Sequence, residues 1–405
     1  MQKRGRFLME SNNCILVVNA GSSSIKLRAY QAGQSMGVLA DMSVDRAGLP
    51  GATFRISGSA VDERSEALGS ESYEDAVSKI IDEIRRCSLG TTTAIGHRIV
   101  HGGNIFIEPT VVDDYSLGEL KKLFDIDPEH MPSAVKIIEA LQVAFPGVPH
   151  VACFDTAFYK DLPRVAKILP IPRKFEEMGL RRYGFHGLSY TYLLEKLSTE
   201  CGDTAVNGRV ILAHLGSGAS LTATSQAKPI DTTMGLTPAS GIPMSTRSGD
   251  VDPGIFLQLH NLAGLDYDQI NSLLSKESGL LGVSETSADM YELLENQAND
   301  KRASEAVELF CYQVKKAIGA LATVLGGVDT IVFSGGMGEN APRIRERVLR
   351  GLEFLGVELH DERNYAGEMC ISTDNSRVGV HVFHTDESSI IMRQVIQTLQ
   401  LQVSN

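Results

Sequence analysis

The stretch Arg209–Ser225, RVILAHLGSGASLTATS, decides the reading of the fold. An apolar run, Val210-Ile211-Leu212-Ala213, stops at Gly216-Ser217-Gly218, and a second extended run follows. Glycines at such a turn let backbone N–H groups approach an anionic ligand, because no Cβ stands in the way. The helix-borne phosphate loops require GxxxxGK[ST], or GxGxxG opening a helix, and this stretch has neither. It predicts a strand–turn–strand hairpin with a phosphate-sized concavity at its tip. The same shape recurs near the start of the chain. Cys14–Val18 is an apolar run that ends at Asn19-Ala20-Gly21-Ser22-Ser23-Ser24 and resumes as the alternating Ile25–Tyr30. Asn19 lines up with His214, and Gly21 with Gly216. Two copies of one device point to two related domains facing each other across a cleft. Two unrelated hairpins are the bland alternative.

Length and composition agree with two domains. The chain has 405 residues, too many for one ordinary core. Hydrophobic residues at 43% and charged residues at 22% are ordinary for a soluble globular protein. A net charge of -12 argues against nucleic acid or an acidic membrane as partner, yet leaves room for a local basic pocket. Six dispersed cysteines, with no CxxC pair, fit reduced thiols and a cytoplasmic location better than a disulfide frame or a zinc site. The segment Met1–Asn13 carries Lys3, Arg4 and Arg6 but no apolar stretch of signal-peptide length. No run of 18 apolar residues occurs, so no membrane span is expected.

Several further segments carry chemistry. Helical spacing is expected over 71–87, 133–144 and 303–325. An apolar approach, 91–100, leads into Gly96-His97-Arg98-Ile99-Val100-His101-Gly102-Gly103. Guanidinium is suited to a carboxylate or phosphoryl group because its donors form a rigid fork. A structural ion pair is the other use of Arg98. A short strand, 148–154, ends at Asp155, where α/β sheets place catalytic groups and where helices also take their N-caps. His186 lies in the cation- and aromatic-rich run 181–187, as a phosphoryl-neutralising group or as a satisfied core histidine. Residues 231–254 form a long Gly/Pro/Ser/Thr-rich loop whose single basic residue, Arg247, pairs naturally with Arg98 as an anion clamp. A strand at 330–333 leads to a third glycine turn, Ser334–Asn340, suited to an adenosine lying over bare backbone. A last strand, 378–383, precedes Thr385-Asp386-Glu387 and a final helix, 388–400. Glycine turns, strand-end carboxylates at Asp155 and Glu387, and two loop arginines are what phosphoryl transfer requires.

The motifs VVNAGSSSIKL, GHRIVHGG, FDTAF, RRYGFHG, HLGSGAS, DTTMGLTP, TRSGDVDPG, FSGGMGEN and TDE, in this order over nearly the whole chain, resemble those of the acetate kinases. These belong to the superfamily of actin, sugar kinases and Hsp70. The resemblance implies an α/β protein of two duplicated ribonuclease-H-like domains with the active site in the cleft between them. The first domain would be 1–156, completed by 388–405, and the second, nucleotide-binding domain 157–387, with Glu387 near the hinge. It implies acetyl phosphate and ADP made from acetate and ATP by direct in-line attack, in a cytoplasmic homodimer. Asp155, Arg98, Arg247 and His186 would be catalytic. Arg98, Val100, Phe185 and Pro238 would bind the carboxylate substrate. Ser22, Ser24, Lys26, His214, Gly216, Ser217, Gly218, Asp289, Met290, Tyr291, Gly335, Gly336, Gly338 and Asn340 would bind nucleotide. Asn19 and Glu387 would organise Mg²⁺ or Mn²⁺, which needs only one or two carboxylates besides waters and phosphates.

The chain departs from the family pattern at Ser217 and Tyr291 on the nucleotide side. Glu129 departs on the acyl side, and Tyr159 and His384 also replace usual residues. Propionate or butyrate kinase activity is the rival reading within the family. A non-catalytic nucleotide sensor is the rival from another class, and a sensor needs no transition-state clamp.

Overall fold

After a two-residue strand, β1 (Leu8–Met9), the first apolar run becomes β2 (Asn13–Ala20), buried on both faces from Cys14 to Val18. It turns back into β3 (Ser24–Gln31), whose inward residues Ile25, Leu27 and Ala29 alternate with Lys26 and Arg28. The meander continues through β4 (Val38–Asp45), β5 (Thr53–Ser57) and β6 (Arg64–Ala67). The helix Tyr73–Arg86 leads to β7 (Thr91–Ile99), followed by β8 (Thr110–Val111), the helix Met131–Ala144 and β9 (His150–Phe154). These strands make one eight-stranded sheet, ordered β6-β5-β4-β3-β2-β7-β9-β8. The computed structural model describes residues 8–9, 13–21, 23–33, 36–70 and 72–403, and the chain forms two compact units. The first unit takes Met1–Ala157 and Asp386–Asn405, the second Phe158–Thr385.

The second unit repeats the plan. Strands β10 (Arg209–Leu215), β11 (Ala219–Ser225) and β12 (Lys228–Thr232) form an antiparallel meander. The 25-residue helix Lys301–Leu325 then crosses to β13 (Thr330–Ser334), and β14 (Gly379–Val382) follows. In the order β12-β11-β10-β13-β14, the last two strands run parallel to β10. The middle of the first sheet, β4-β3-β2-β7-β9, obeys the same rule, with β7 and β9 parallel to β2. Both expected hairpins are therefore present, each as the first two strands of one copy of a single topology. A last strand, β15 (Gln402–Val403), pairs with β1.

Within the first unit, one sheet face packs on the helices Tyr73–Arg86 and Met131–Ala144 through Leu16, Leu27, Phe54, Ile80 and Ile137. The other face, at β2, β7 and β9, carries the helix Glu387–Leu399. Gly96 makes that approach possible, since a Cβ there would stand 2.6 Å from Ile391 and 2.7 Å from Val395. Among the described residues no helix is long and apolar enough to cross a membrane, and all six cysteines are free thiols.

Candidate active site

In the first unit the ends of three parallel strands and the start of the last helix bring four predicted residues together. Arg98, near the end of β7, donates from Nη2 to Asp155 Oδ2 at 2.6 Å and from Nε to both Asp155 oxygens at 3.2 Å. Its Nη1 donates to Asn19 Oδ1 at 3.2 Å, and Glu387 Oε2 lies 3.6 Å from Nε. The Asp155 side chain is wholly buried, while those of Arg98 and Glu387 keep 19% and 16% of their exposure. Burial pulls the Arg98 pKa down, but the carboxylates of Asp155 and Glu387 more than offset this and hold it above its ordinary value. A guanidinium has five N–H donors, so these contacts leave a second N–H on each terminal nitrogen for a ligand. The structural ion pair, one of the two uses the sequence allows Arg98, is present and fixes the plane of its guanidinium.

Neighbouring predicted residues of this unit fall into place around the hairpin. Gly21 N–H donates to Ser24 O at 2.8 Å, closing the β2–β3 turn, and Lys26 stands opposite Asn19. Ser22 lies outside the described residues. Val100 is buried directly after β7. Glu387 is the first residue of a helix capped by Asp386, which accepts from Ser389 N–H, rather than a strand-end carboxylate.

In the second unit the glycine hairpin meets His186 and Arg247. A Cβ on Gly218 would stand 3.3 Å from His186 Nε2 and 3.5 Å from Arg247 Nη1, so both side-chain tips converge on bare backbone. Gly216 N–H donates to Gly218 O at 3.0 Å and tightens the turn. His186 adopts a left-handed conformation, φ 59°, at the start of the helix Gly187–Cys201. Its Nδ1 is hydrogen-bonded to Ser220 Oγ at 2.8 Å, which aims Nε2 at the hairpin. The His214 ring stacks on it at 4.5 Å, and His214 Nδ1 meets Ser189 Oγ at 2.8 Å. Arg247 is held by the Pro238 carbonyl at 3.1 Å. Phe185 is buried, and its carbonyl accepts from the Tyr159 hydroxyl at 2.9 Å.

A cavity of about 900 Å³ runs from this hairpin across the second unit. It begins at Gly216, Ser217, Gly218 and Arg247, and reaches Asp289, Met290, Tyr291, Gly336 and Asn340. That volume lies in the range of small-molecule sites. The expected third glycine turn is instead a short helix, Gly335–Asn340. Gly335 N–H donates to Glu339 Oε1 at 2.9 Å, and the buried Arg345 donates to the carbonyls of Gly338 and Glu339, so the helix is held at both ends. Gly336 and Asn340 face the cavity. Gly335 and Gly338 lie behind it against Leu215 and Phe333, and only glycine fits at 335, where φ is +75° and a Cβ would meet the Leu215 backbone at 2.8 Å. Asp289 spends one oxygen capping the next helix through Tyr291 N–H, at 2.7 Å.

Sequence reasoning missed the supporting residues. Ser220, Tyr159 and Glu339 orient His186, the loop at 184–185 and the glycine helix. Tyr159 also bonds Thr222 Oγ1 at 2.6 Å and fills the space a side chain at Gly184 would need. His384 Nδ1 bonds Glu339 Oε2 at 2.5 Å. The available signal was the period-two polar series Ser220, Thr222, Thr224 on a strand whose residues are all buried but the last.

A cavity bordered by glycine backbone and the Arg247 guanidinium, beside a sheet that the chain builds twice, defines a phosphotransferase of the two-domain actin and sugar-kinase type. Residues 14–393 match the acetokinase family. The acetate kinase of Rhodopseudomonas palustris is 40% identical over 393 residues, covering 95% of this chain and 98% of that protein. That of Heliobacterium modesticaldum is 40% identical over 398 residues, covering 95% and 99%. Among solved structures, Porphyromonas gingivalis acetate kinase superposes with a TM-score of 0.85 at 34% identity, over 96% of this chain and 100% of that one. A propionate kinase from Francisella tularensis gives 0.89 at 33%, over 95% and 99%. The chain belongs to the acetokinase family. It is a kinase that phosphorylates acetate.

Proposed function

We propose that the two groups of residues serve one reaction, in-line attack of the acetate carboxylate on the γ-phosphoryl of ATP to give acetyl phosphate and ADP. The observation that carries this reading is the convergence of His186 and Arg247 on Gly218, at one end of a nucleotide-sized cavity. The adenosine lies along Asp289, Met290, Tyr291, Gly336 and Asn340, and the phosphates run to Gly216, Ser217 and Gly218. On the first unit's side, Ser24 and Lys26 reach the phosphates. Arg98 orients the carboxylate with its outer N–H groups, and Val100, Phe185 and Pro238 wall the methyl. A carboxylate is already a nucleophile, so no general base is needed. Arg247 and His186 offset charge on the equatorial oxygens, which pre-set donors do without reorganisation.

The donor set fits a hard divalent cation. Asn19 and Glu387 present oxygens beside Arg98, and Mg²⁺ requires only one or two carboxylates besides phosphates and water. Mg²⁺ or Mn²⁺ held there by Asn19 and Glu387 would neutralise charge on the phosphates. A homodimer is supported by the helix Gly254–Ala263, which has no buried residue and exposes Ile255, Phe256, Leu257 and Leu262. A single-copy mass in solution would exclude it. The free thiols fit a cytoplasmic enzyme.

Hydroxamate trapping of acyl phosphate, with acetate, propionate and butyrate each offered against ATP and pyrophosphate, tests the reading. Acetate with ATP is expected to give the highest kcat/KM. Arg247→Ala is expected to lower kcat on the order of 10³-fold. A higher kcat/KM with propionate, the substrate that names the Francisella relative, would keep the mechanism and move the acyl preference. No trapped product with any pair would overturn the proposal.

A further inference from the structure

A polar row crosses the first unit's sheet at right angles to its strands. Asn19 stands opposite Lys26, Lys26 opposite Ser43, Ser43 opposite Arg55, and Arg55 opposite Ser65. Residues paired in this way share a sheet face. Their neighbours along the strands, Ile25, Leu27, Met42, Val44, Phe54 and Ile56, are buried in the core on the opposite face. The pleat therefore leaves Lys26, Ser43 and Arg55 no choice of side. That side is the one on which the helix Glu387–Leu399 covers β2, β7 and β9, and Lys26, Ser43, Arg55 and Ser65 line a cavity of about 410 Å³ that ends at Ser388 of that helix.

The charges in this cavity are unequal in kind. In the adjoining row Arg28 is spoken for: its Nε donates to Asp41 at 2.5 Å and its Nη1 to Asp386 at 3.0 Å. Lys26 and Arg55 form no ion pair among the described residues, and the serine between them offers a hydroxyl donor. Glu63 also borders the cavity, so its lining is not purely cationic. Lys26 and Arg55, two strands apart on one face and without an ion pair among the described residues, are like charges held near each other in a chain of net charge -12. The backbones of Lys26 and Arg55 are about 10 Å apart, two strand spacings, and both side chains are long enough to close on an anion above Ser43. That span suits an anion with charge spread over several groups better than a single carboxylate.

We propose that Ser43 and Arg55, together with Lys26, which the site shares with the proposed nucleotide site, form a second anion site that takes a phosphate chain. The ligand is either a free condensed phosphate or the polyphosphate tail of a nucleotide. The ligand class rests on the proposed function, because a phosphate chain is what that reaction handles; the site itself rests on the register and the cavity. Arg55 and Ser43 lie outside every group assigned to the reaction, so the site can be removed without touching the chemistry.

Tripolyphosphate, titrated calorimetrically into the full-length protein without divalent metal, provides the test. Wild type and Arg247→Ala are expected to bind it, and R55Q and R55E to bind at least about tenfold more weakly, since a charge-assisted contact is lost. Melting temperatures of the variants verify their folding, and acetate phosphorylation by R55E should stay within about twofold of wild type. ATP titrated in the same way separates the sources: a loss in R55E matching that for tripolyphosphate assigns the nucleotide tail, and a loss for tripolyphosphate alone assigns the free anion. Wild-type binding that survives both Arg55 variants, or that vanishes in Arg247→Ala, overturns the proposal, as does the absence of binding to wild type. Hydroxamate trapping with wild type stands apart from these titrations. Binding that depends on Arg55 in a protein that makes no acyl phosphate would place the failure in the proposed reaction.

Discussion

Arg98 and Asp155 show what a buried pair can contribute besides stability. Removing one partner of such a pair leaves an uncompensated charge and commonly costs about 3–5 kcal/mol. Asp155→Ala would therefore confound folding with function, whereas Asp155→Asn keeps the shape and two hydrogen-bonding groups. Asp155→Asn is expected to melt within a few degrees of wild type and to lose on the order of 10²-fold or more in kcat, because the plane of Arg98 is no longer fixed by charge. Thermal unfolding and steady-state kinetics on one preparation measure both; wild-type turnover would show that Asp155 holds the fold alone. The residues proposed to carry the chemistry stood out in the sequence because arginine, aspartate and histidine in glycine-rich surroundings have few bland explanations. Ser220 did not, because an alternating Ser/Thr strand reads as ordinary packing; Tyr159 stood out as a departure from the family pattern, but its role did not. Their roles exist only through partners far along the chain, 34 residues from His186 in the case of Ser220.

At the scale of elements, the strands that cross a core declared themselves as apolar runs, and the long helices as apolar stripes. Strands β4 to β6 did not, since they face solvent on one side and their outward residues, Ser43, Arg55 and Ser65, resemble a polar loop. The glycine helix Gly335–Asn340 failed for the opposite reason: three glycines in six positions oppose helix, and tertiary contacts from Glu339 and Arg345 override the propensity. Beneath the helix Met131–Ala144, β7 and β9 place His97 and His150 side by side. Their rings are stacked 5.1 Å apart, and His97 Nε2 meets His150 Nδ1 at 2.9 Å. The outer nitrogens, His97 Nδ1 and His150 Nε2, have no partner among the described residues. Burial, with the neighbouring ring as a lesser cause, pushes His97 well below its ordinary value, and burial alone lowers His150 to about 4. Both folded-state values lie below the unfolded one near 6.5, so the unfolded chain binds protons that the folded chain refuses. Stability is full above about pH 6.5 and falls as the pH drops toward 4, by up to about 1.4 kcal/mol per pH unit for each histidine. Urea unfolding at pH 7.5 and 5.5 should show this slope, and the double variant His97→Leu/His150→Leu should flatten it. An equal slope in the variant would locate the acid sensitivity elsewhere.

For the whole molecule, the decisive feature is that one sheet plan is built twice but closed differently. The second unit is a single uninterrupted segment, Phe158–Thr385. The first is interrupted, and its sheet keeps one face covered only because the chain returns at Asp386. The returning helix buries Ile390, Ile391, Met392 and Val395, and Gly96 is kept free of a side chain to receive it. At about 1.5–3 kcal/mol for each such side chain, the four contribute about 6–12 kcal/mol, as much as the entire stability of an ordinary domain. Residues 1–157 alone should therefore lack a cooperative melt and bind a dye for exposed apolar surface. Asp155 and Glu387 both lie within 4 Å of Arg98, so the chain leaves this unit and re-enters it at neighbouring points. A short glycine–serine linker from Ala157 to Asp386 should consequently restore the melt. The segment 158–385 should unfold cooperatively without any such addition. Cooperative unfolding of 1–157 without the helix would mean that the sheet is stable with that face open, and that the C-terminal return serves to position Glu387 rather than to complete the core.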